Sequence, residues 1–431
     1  MQELLVITTP QPPHTTTNAL HALKTDRKQR FTCNEHPFAI PLPKCVPQKH
    51  KFKLRRQVNK ENDDFAFWVL FFACSFGKIK KRGFFGMCRK KEKRKFNWKV
   101  FAAVVGCILV VYLVIAVLPR PQSRQTNDFV IKQGSQPLLI AHGGGNREFP
   151  DNTLEACYNA YSVNPEVMLE MDVSITKDGV IIMSHDTTLD YRTNARGAIA
   201  DWNYTDLVAQ RVDFSYLNRK ENGEVVQEIK YTDYRGVEVT PLDVQYPAGV
   251  SARDREIFPV TRLTDVLDAF PENTVNVEIK QDGETGIRAL HAVVKILEEY
   301  DAFDRVVLAS FHREIYKEIK NIVKNQHPEM LCSPEYVGVG TLLISGALKL
   351  DALYNEPVAV LQIPMSQELK GIKIKLDKKW FVETAHMHNI AVHFWTIDDE
   401  EDMRHLIEIG ADGIMTNLPH KLQEVYDSVF A

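Results

Sequence analysis

Five titratable side chains stand within or directly after short apolar segments of the sequence: His142, Glu170, Asp172, His185 and Glu278. Glu170 and Asp172 are two residues apart, so in a strand they would point to the same face. Carboxylate oxygens are the ligands that Mg²⁺ and Ca²⁺ prefer, and burying three carboxylates without a cation is costly. Histidine titrates near neutral pH and can serve as a general acid or a general base. The pattern therefore predicts a metal-assisted acid–base centre, with three carboxylates as metal ligands and two histidines as catalytic groups.

Each of these features alone has a simpler structural interpretation. A single pair of carboxylates on a strand usually belongs to a solvated face, and a lone histidine is more often a satisfied structural residue. The glycines that follow His142 can form nothing more than a turn. The prediction depends on the whole set, because every member falls at the end of a predicted strand.

The segments that carry these residues alternate with amphipathic ones. Ile287, Leu290, Val294 and Leu297 share one helical face ahead of the next apolar segment, and this alternation favours a parallel sheet. The predicted strands are Leu138–Ala141, Val167–Ile175, Val180–Ser184, Val275–Ile279, Val306–Ser310, Met330–Ser333, Val358–Ile363, Ile390–Thr396 and Gly413–Met415.

One predicted strand departs from this alternation. Asp178-Gly179 in a very short connection favours a tight hairpin, which makes Val180–Ser184 antiparallel to its predecessor. The remaining eight strands are the number in a TIM-type (β/α)₈ barrel, where the chemistry lies at the carboxyl ends of the strands. We therefore predict an α/β fold, a TIM-type barrel over residues 137–431 with an added hairpin strand. The long polar stretch 191–257 is predicted to be an insertion near the active-site mouth.

The segment Val100–Leu118 contains 19 residues without a charge, which is enough for a helix to span a membrane. It is apolar on all sides, which argues against a buried core helix, and no small-x-small cleavage site follows it, which argues against a cleaved signal peptide. Basic residues crowd the preceding flank: Arg89, Lys90, Lys91, Lys93, Arg94, Lys95 and Lys99. We therefore predict a single-pass membrane anchor over 87–118, with a cytoplasmic N-terminus and an extracytoplasmic catalytic domain.

The regions on either side of this predicted anchor show no regular pattern of apolar residues. Residues 119–136 are polar with two prolines and are predicted to form a tether. Residues 1–86 show no sustained periodicity, and Met87 followed by a basic flank resembles a natural start. We interpret 1–86 as an uncertain extension, either a disordered tail or not part of the natural protein.

The composition favours a globular protein and gives no support for a nucleic-acid-binding or disulfide-rich one. Apolar residues are 44% of the 431 and charged residues 25%, which suits a globular domain with a sizeable core. The net charge of −3 gives no basic face for binding nucleic acid. The seven cysteines show no short paired spacing, so neither a zinc knuckle nor a disulfide framework is predicted.

Several sequence blocks resemble, in order, those of glycerophosphodiester phosphodiesterases. They are AHGGGNREFPDNTLEA, LEMDVSITKDGVIIMSHDTTLD, FPVTRLTDVL, VNVEIK, HFWTID and GADGIMTNLP, which together reach from about Pro137 to the C-terminus. The resemblance, to a membrane-anchored, bacterial-type member, implies a TIM barrel. It also implies hydrolysis of glycerophosphodiesters to glycerol 3-phosphate and an alcohol with a divalent cation.

The resemblance also implies roles for individual residues. Glu170, Asp172 and Glu278 match the metal ligands of the family, and His142 and His185 match its catalytic histidines. Lys280 and Trp395 match its substrate contacts.

Two positions depart from the family pattern. The family usually has an arginine after the first histidine, where this chain has Gly143, and a glutamate where this chain has Asp151. Arg147, four residues after Gly143, is predicted to reach back to the phosphate. These changes affect the substrate prediction more than the reaction class.

Three functions remain open from the sequence. The first is a metal-dependent phosphodiesterase acting on glycerophosphodiesters or lysophospholipids. The second is a phospholipase C-like enzyme, which cleaves on the other side of the phosphate, since that related family shares the barrel and the two histidines. The third is a catalytically inactive, membrane-tethered binding module.

Overall fold

The computed structural model describes residues 97–369 and 371–431. The predicted extension 1–86 and the basic flank through residue 96 lie outside the described residues. All the elements described below belong to one compact unit that runs to the C-terminus.

Eight parallel strands form the barrel: Leu138–Ala141 (β1), Met168–Ile175 (β2), Val275–Ile279 (β6), Val306–Ala309 (β7), Leu331–Cys332 (β8), Val360–Ile363 (β9), Ala391–Phe394 (β12) and Gly413–Thr416 (β13). Their spatial order is β8-β7-β6-β2-β1-β13-β12-β9. The backbone amide of Ala359 donates to the carbonyl of Cys332 across 2.9 Å, which links the two end strands and nearly closes the sheet. The predicted TIM-type barrel and its eight strands are thus confirmed.

The hairpin strand is also confirmed. Ile181–Met183 (β3) pairs antiparallel with β2, and Gly179 in the connection has φ of +87°, a conformation that favours glycine. Two further hairpins were not predicted: Arg219–Glu221 (β4) with Glu224–Gln227 (β5), and Ser366–Leu369 (β10) with Ile372–Lys375 (β11). All four of these strands are short and largely exposed, so they lack the buried alternation that reveals a strand in sequence.

Helices cover the outside of the barrel. The α-helices among the described residues are Trp98–Val117 (α1), Leu154–Val163 (α2), Tyr204–Ala209 (α3), Leu263–Ala269 (α4), Gly283–Glu299 (α5), Arg313–Asn325 (α6), Tyr336–Ala347 (α7), Lys379–Met387 (α8), Glu400–Ile409 (α9) and Pro419–Phe430 (α10). In α5 the residues Leu290, Val294 and Leu297 are buried, as their helical spacing predicts. Their burial against the sheet fixes the strand ends that carry the candidate site.

The segment between α1 and β1 packs along the amino-terminal end of the barrel. Asn127 donates through Nδ2 to the carbonyls of Ala359 and Asn389, at 2.7 Å and 2.9 Å, just before two strands begin. Phe129 is buried with Ile140 and Met415 in a cluster inside the barrel. Part of the predicted tether therefore packs against the amino-terminal end of the barrel through Asn127 and Phe129.

Helix α1 agrees with the predicted apolar segment within two residues at its start. It is the one helix among the described residues that is long and apolar enough to cross a membrane, and its apolar window is not buried. Two contacts join the helix and the residues after it to the rest of the unit. The hydroxyl of Tyr112, in the second half of the helix, donates to the carbonyl of Leu348 at 3.2 Å, and Arg120, just after the helix, forms an ion pair with Asp351 at 2.8 Å. Both contacts lie on the connection that leads from α7 to β9.

Candidate active site

Three carboxylates converge at the carboxyl ends of β2 and β6. Asp172 and Glu278 are register partners on these neighbouring parallel strands, and Glu170 lies two residues before Asp172 on the same face. Ligand-capable oxygen atoms of all three lie within 4.8 Å of one another. Glu170 and Asp172 are almost fully buried, so the cluster is not a solvated surface patch.

The charges in this cluster are poorly compensated by the protein itself. Burial raises the pKa of Glu170 well above its usual range, and the nearby Asp172 raises it further. Burial also raises the pKa of Glu278, against an opposing effect of Lys280. For Asp172 burial acts in the same direction, but Lys280 and His185 outweigh it and the pKa is lowered. A hard divalent cation would relieve this repulsion, so the oxygen donor set fits Mg²⁺ or Ca²⁺.

Lys280 adjoins the carboxylates. Its Nζ lies 3.0 Å from Oδ1 of Asp172 and 3.0 Å from Oε1 of Glu278. Burial lowers the pKa of Lys280, but these two carboxylates raise it more, so the ammonium stays charged. Lys280 therefore brings a fixed positive charge to the edge of the cluster.

His142 opens a short 3₁₀ turn directly after β1, and a contact with Asn417 orients its ring. Nδ1 lies 2.6 Å from Oδ1 of Asn417, whose own amide nitrogen donates to Oδ2 of Asp398 at 2.8 Å. Because the amide oxygen of Asn417 is an acceptor, we assign the proton of the neutral ring to Nδ1. This leaves Nε2, 4.0 Å from Oε2 of Glu170, with a free lone pair facing the carboxylates.

His185 follows β3 on the other side of the cluster. Its Nδ1 lies 3.4 Å from Oδ1 of Asp186. Hydrogen bonding to Asp186 raises the pKa of His185, and Asp172 adds to the effect, while burial opposes it. Protonated His185 therefore persists to higher pH than an unperturbed histidine would.

The glycine turn after His142 also positions a backbone hydrogen-bond donor next to the carboxylate cluster. Gly143 has φ of +57°, and its backbone N–H donates to Oε2 of Glu170 at 2.8 Å. A Cβ at this position would lie 2.9 Å from Cβ of Asp151. The left-handed turn therefore brings a backbone donor to a carboxylate of the cluster, and a side chain here would be strained.

The part of the chain that carries these residues matches a known protein family. The model of the glycerophosphoryl diester phosphodiesterase family matches residues 142–421, which contain every residue of the cluster. The chain belongs to this family.

Curated relatives agree with the family. A glycerophosphodiester phosphodiesterase of Caldanaerobacter subterraneus is 25% identical over 290 residues, covering 66% of this chain and 96% of the relative. Lysophospholipase D GDPD1 of Rattus norvegicus is 26% identical over 311 residues, 68% of this chain and 87% of the relative. The solved phosphodiesterase domain of an uncharacterized Mycobacterium tuberculosis protein has a TM-score of 0.49 at 16% identity, covering 67% of this chain and 99% of that one. The family match makes this chain a glycerophosphodiester phosphodiesterase, a phosphoric diester hydrolase.

The other residues predicted to contact substrate lie in different places in this phosphodiesterase. Trp395 directly follows β12 and packs against Phe311, with ring centroids 5.8 Å apart. Arg147 is half-exposed and its NH1 lies 3.5 Å from Oδ2 of Asp398. Trp395 thus lies at the carboxyl end of the barrel strands. Arg147, in contrast, contacts Asp398, the carboxylate that accepts a hydrogen bond from Asn417. The roles of Lys280, Trp395 and Arg147 stay predictions.

Sequence reasoning missed several residues that support the phosphodiesterase site: Asn152, Asp186, Arg192, Asp398 and Asn417. Asn152 donates to Oδ2 of Asp172 at 3.0 Å, and its own Oδ1 accepts from the backbone N–H of Asp172 at 2.8 Å. Asn152 and Asn417 both lie inside the motifs quoted above, next to a catalytic candidate or a strand end, and that signal could have found them. Arg192 lies in the irregular insertion, where no periodicity points to it.

Proposed function

We propose that this enzyme hydrolyses glycerophosphodiesters to glycerol 3-phosphate and an alcohol by metal-dependent, two-histidine acid–base catalysis. The observation that supports this most is the cluster of three buried carboxylates flanked by two histidines in different protonation environments. Phosphodiester cleavage needs a proton removed from the attacking oxygen and a proton given to the leaving oxygen. The two histidines are suited to these opposite tasks.

In this mechanism His142 is the general base and His185 the general acid. Nε2 of His142 takes the proton from the attacking oxygen, while Asn417 holds the ring through Nδ1. The raised pKa of His185 keeps it protonated near neutral pH, ready to donate to the leaving alcohol. A histidine stabilised in its charged form is a poor base and an available acid, which agrees with the role of His185 as the acid.

The carboxylates bind the cation in this mechanism, and three further side chains contact the substrate. Glu170, Asp172 and Glu278 would hold Mg²⁺ or Ca²⁺, which supplies positive charge to the phosphate as negative charge builds up. Lys280 adds a second positive charge, and Trp395 offers an apolar surface to the glycerol or alcohol portion. Arg147 remains a proposed phosphate contact on the outer side of His142.

Product analysis tests the reaction. Purified full-length enzyme in detergent, incubated with glycerophosphocholine and Mg²⁺ or Ca²⁺, is expected to release glycerol 3-phosphate and choline. Release of phosphocholine or a cyclic phosphate would identify a phospholipase C-like enzyme instead. Absence of turnover with either ion and with lysophosphatidylcholine would leave an inactive binding module. Lysophosphatidylcholine is included because one relative is named a lysophospholipase D.

We further propose that α1 anchors the enzyme in a bacterial-type plasma membrane as a single pass. The length and apolar composition of α1 support the anchor, and the basic flank before Val100 supports a cytoplasmic N-terminus. Protease added to intact spheroplasts is expected to degrade the barrel, and a cytoplasmic marker protein should survive as the control. Protection of the barrel until the membrane is permeabilised would reverse this orientation.

A further inference from the structure

Arg192 lies in the insertion, seven residues after His185, and reaches back to the candidate active site. One terminal nitrogen of its guanidinium is hydrogen-bonded to Oδ1 of Asp151. Its Nε lies 3.8 Å from Oδ2 of Asp186, on the opposite side. Only 19% of the side chain is exposed, so the positive charge is held in place between two carboxylates.

Each of these two carboxylates is connected by hydrogen bonds to a residue of the candidate active site. Asn152 donates through Nδ2 to Oδ2 of Asp151 and also to Oδ2 of Asp172, each at 3.0 Å. Asp186 is the hydrogen-bond partner that raises the pKa of His185. Asp186 therefore stands between Arg192 and His185. Asp151 and Asn152 stand between Arg192 and Asp172, a carboxylate of the cluster.

The guanidinium has hydrogen-bonding capacity that the described part of the protein leaves unused. Nε of Arg192 is buried without a hydrogen-bond partner, and so is Oδ2 of Asp186. A buried N–H without a partner is costly, and the planar donor array of a guanidinium matches the oxygens of a phosphate.

Two other cations, Lys280 and Arg147, are also proposed to act on the phosphate, and both are paired with carboxylates. Lys280 is paired with two carboxylates of the cluster, and Arg147 meets Asp398 on the far side of His142. Residue 143 is a glycine whose Cβ direction points at Asp151, the residue that holds Arg192. The space that a side chain at 143 would enter is thus already bounded by the Arg192–Asp151 pair.

We propose that Arg192 binds a non-bridging oxygen of the substrate phosphate, with Asp151 fixing its position. The insertion thereby supplies the guanidinium that the glycine turn after His142 lacks. This inference rests on the proposed function, because it places the phosphate between the carboxylate cluster and His185. It also gives the insertion a direct part in substrate binding.

Phosphate binding tests this without relying on turnover. Inorganic phosphate and glycerol 3-phosphate are titrated into the full-chain enzyme, wild type and Arg192→Gln, by calorimetry in the presence of Mg²⁺. Glutamine can still donate a hydrogen bond to Asp151 but carries no charge. We expect the Kd for both anions to rise about tenfold to a hundredfold, as for loss of a charged hydrogen bond. In kinetics on glycerophosphocholine, kcat/KM should fall by a similar factor.

The matched control is Arg219→Ala, which removes an exposed arginine of the same insertion whose partner is Glu221. It should bind phosphate like the wild type. An unchanged Kd in Arg192→Gln would overturn the proposal, even if the wild type hydrolyses glycerophosphocholine normally. A weakened Kd would support it even if no glycerol 3-phosphate is formed. Should Arg192→Gln fail to fold, Arg192→Met, which removes the charge and keeps an unbranched apolar side chain, takes its place: weaker anion binding supports the proposal and an unchanged Kd overturns it.

Discussion

Replacement of either His142 or His185 by alanine is expected to lower kcat on glycerophosphocholine by about a hundredfold or more. Each variant loses one of the two proton transfers that cleavage of the diester requires. Metal affinity should be kept, because neither ring is needed to hold the three carboxylates together. Steady-state kinetics and calorimetric titration of Mg²⁺ on the same preparations measure both effects.

The two histidine variants should respond differently to the leaving group. A nitrophenyl phosphodiester has a leaving oxygen that departs without a proton, so it should restore much of the lost turnover to His185→Ala. His142→Ala should stay slow, because its attacking oxygen still needs a base. Restoration in His142→Ala alone would exchange the two assignments. His291→Ala, at a half-exposed histidine on α5, is the control, and near-normal turnover in both active-site variants would refute the mechanism.

Loss of the metal site should lower turnover at least as much as loss of either histidine. Excess EDTA is expected to abolish hydrolysis, and Glu170→Gln should reduce both Mg²⁺ affinity and turnover. Glutamine keeps an oxygen that can accept from the N–H of Gly143, so the loop after β1 should survive the change. Asp172→Asn is expected to act in the same direction, although it also weakens the pairing with Lys280.

Glu166→Gln is the matched control for this experiment, since Glu166 is exposed just before β2. It should bind Mg²⁺ and turn over substrate like the wild type. Calorimetry provides a readout that does not depend on activity. Full activity of a Glu170→Gln, Asp172→Asn double variant in the presence of EDTA would end the proposal of a divalent cation.

Much of the fold could be predicted because its signals are local. The apolar strands and the Asp178-Gly179 turn are visible within a few residues of sequence, and the two-residue spacing of Glu170 and Asp172 placed both on one face. The clustering of Glu278 with them followed from the rule that barrel strands share a carboxyl-end face. The short exposed hairpins escaped prediction because nothing in them is buried.

The finer geometry of the site could not be predicted, because it depends on contacts made only when the sheet closes. Asn417 is 275 positions away from His142, yet it determines which ring nitrogen of that histidine faces the carboxylates. The Arg192–Asp151 pair joins an irregular insertion to the turn after β1, and no periodic pattern relates the two. Pairings of this kind are set by three-dimensional closure and not by local propensity.

Under the proposed membrane anchoring, the segment between α1 and β1 has a consequence for how substrate reaches the enzyme. Phe129 and Asn127 join the chain from α1 to the amino-terminal ends of the strands, whereas His142 and the carboxylates lie at the carboxyl ends. Most barrel strands have four or five residues, which separates the two ends by roughly 13–17 Å at the usual rise of a strand. With α1 in a bilayer, the catalytic opening lies on the side of the barrel away from the attachment point. Diesters dissolved in the surrounding water would reach it freely, whereas a diester held by an acyl chain in the same leaflet would first have to leave the lipid.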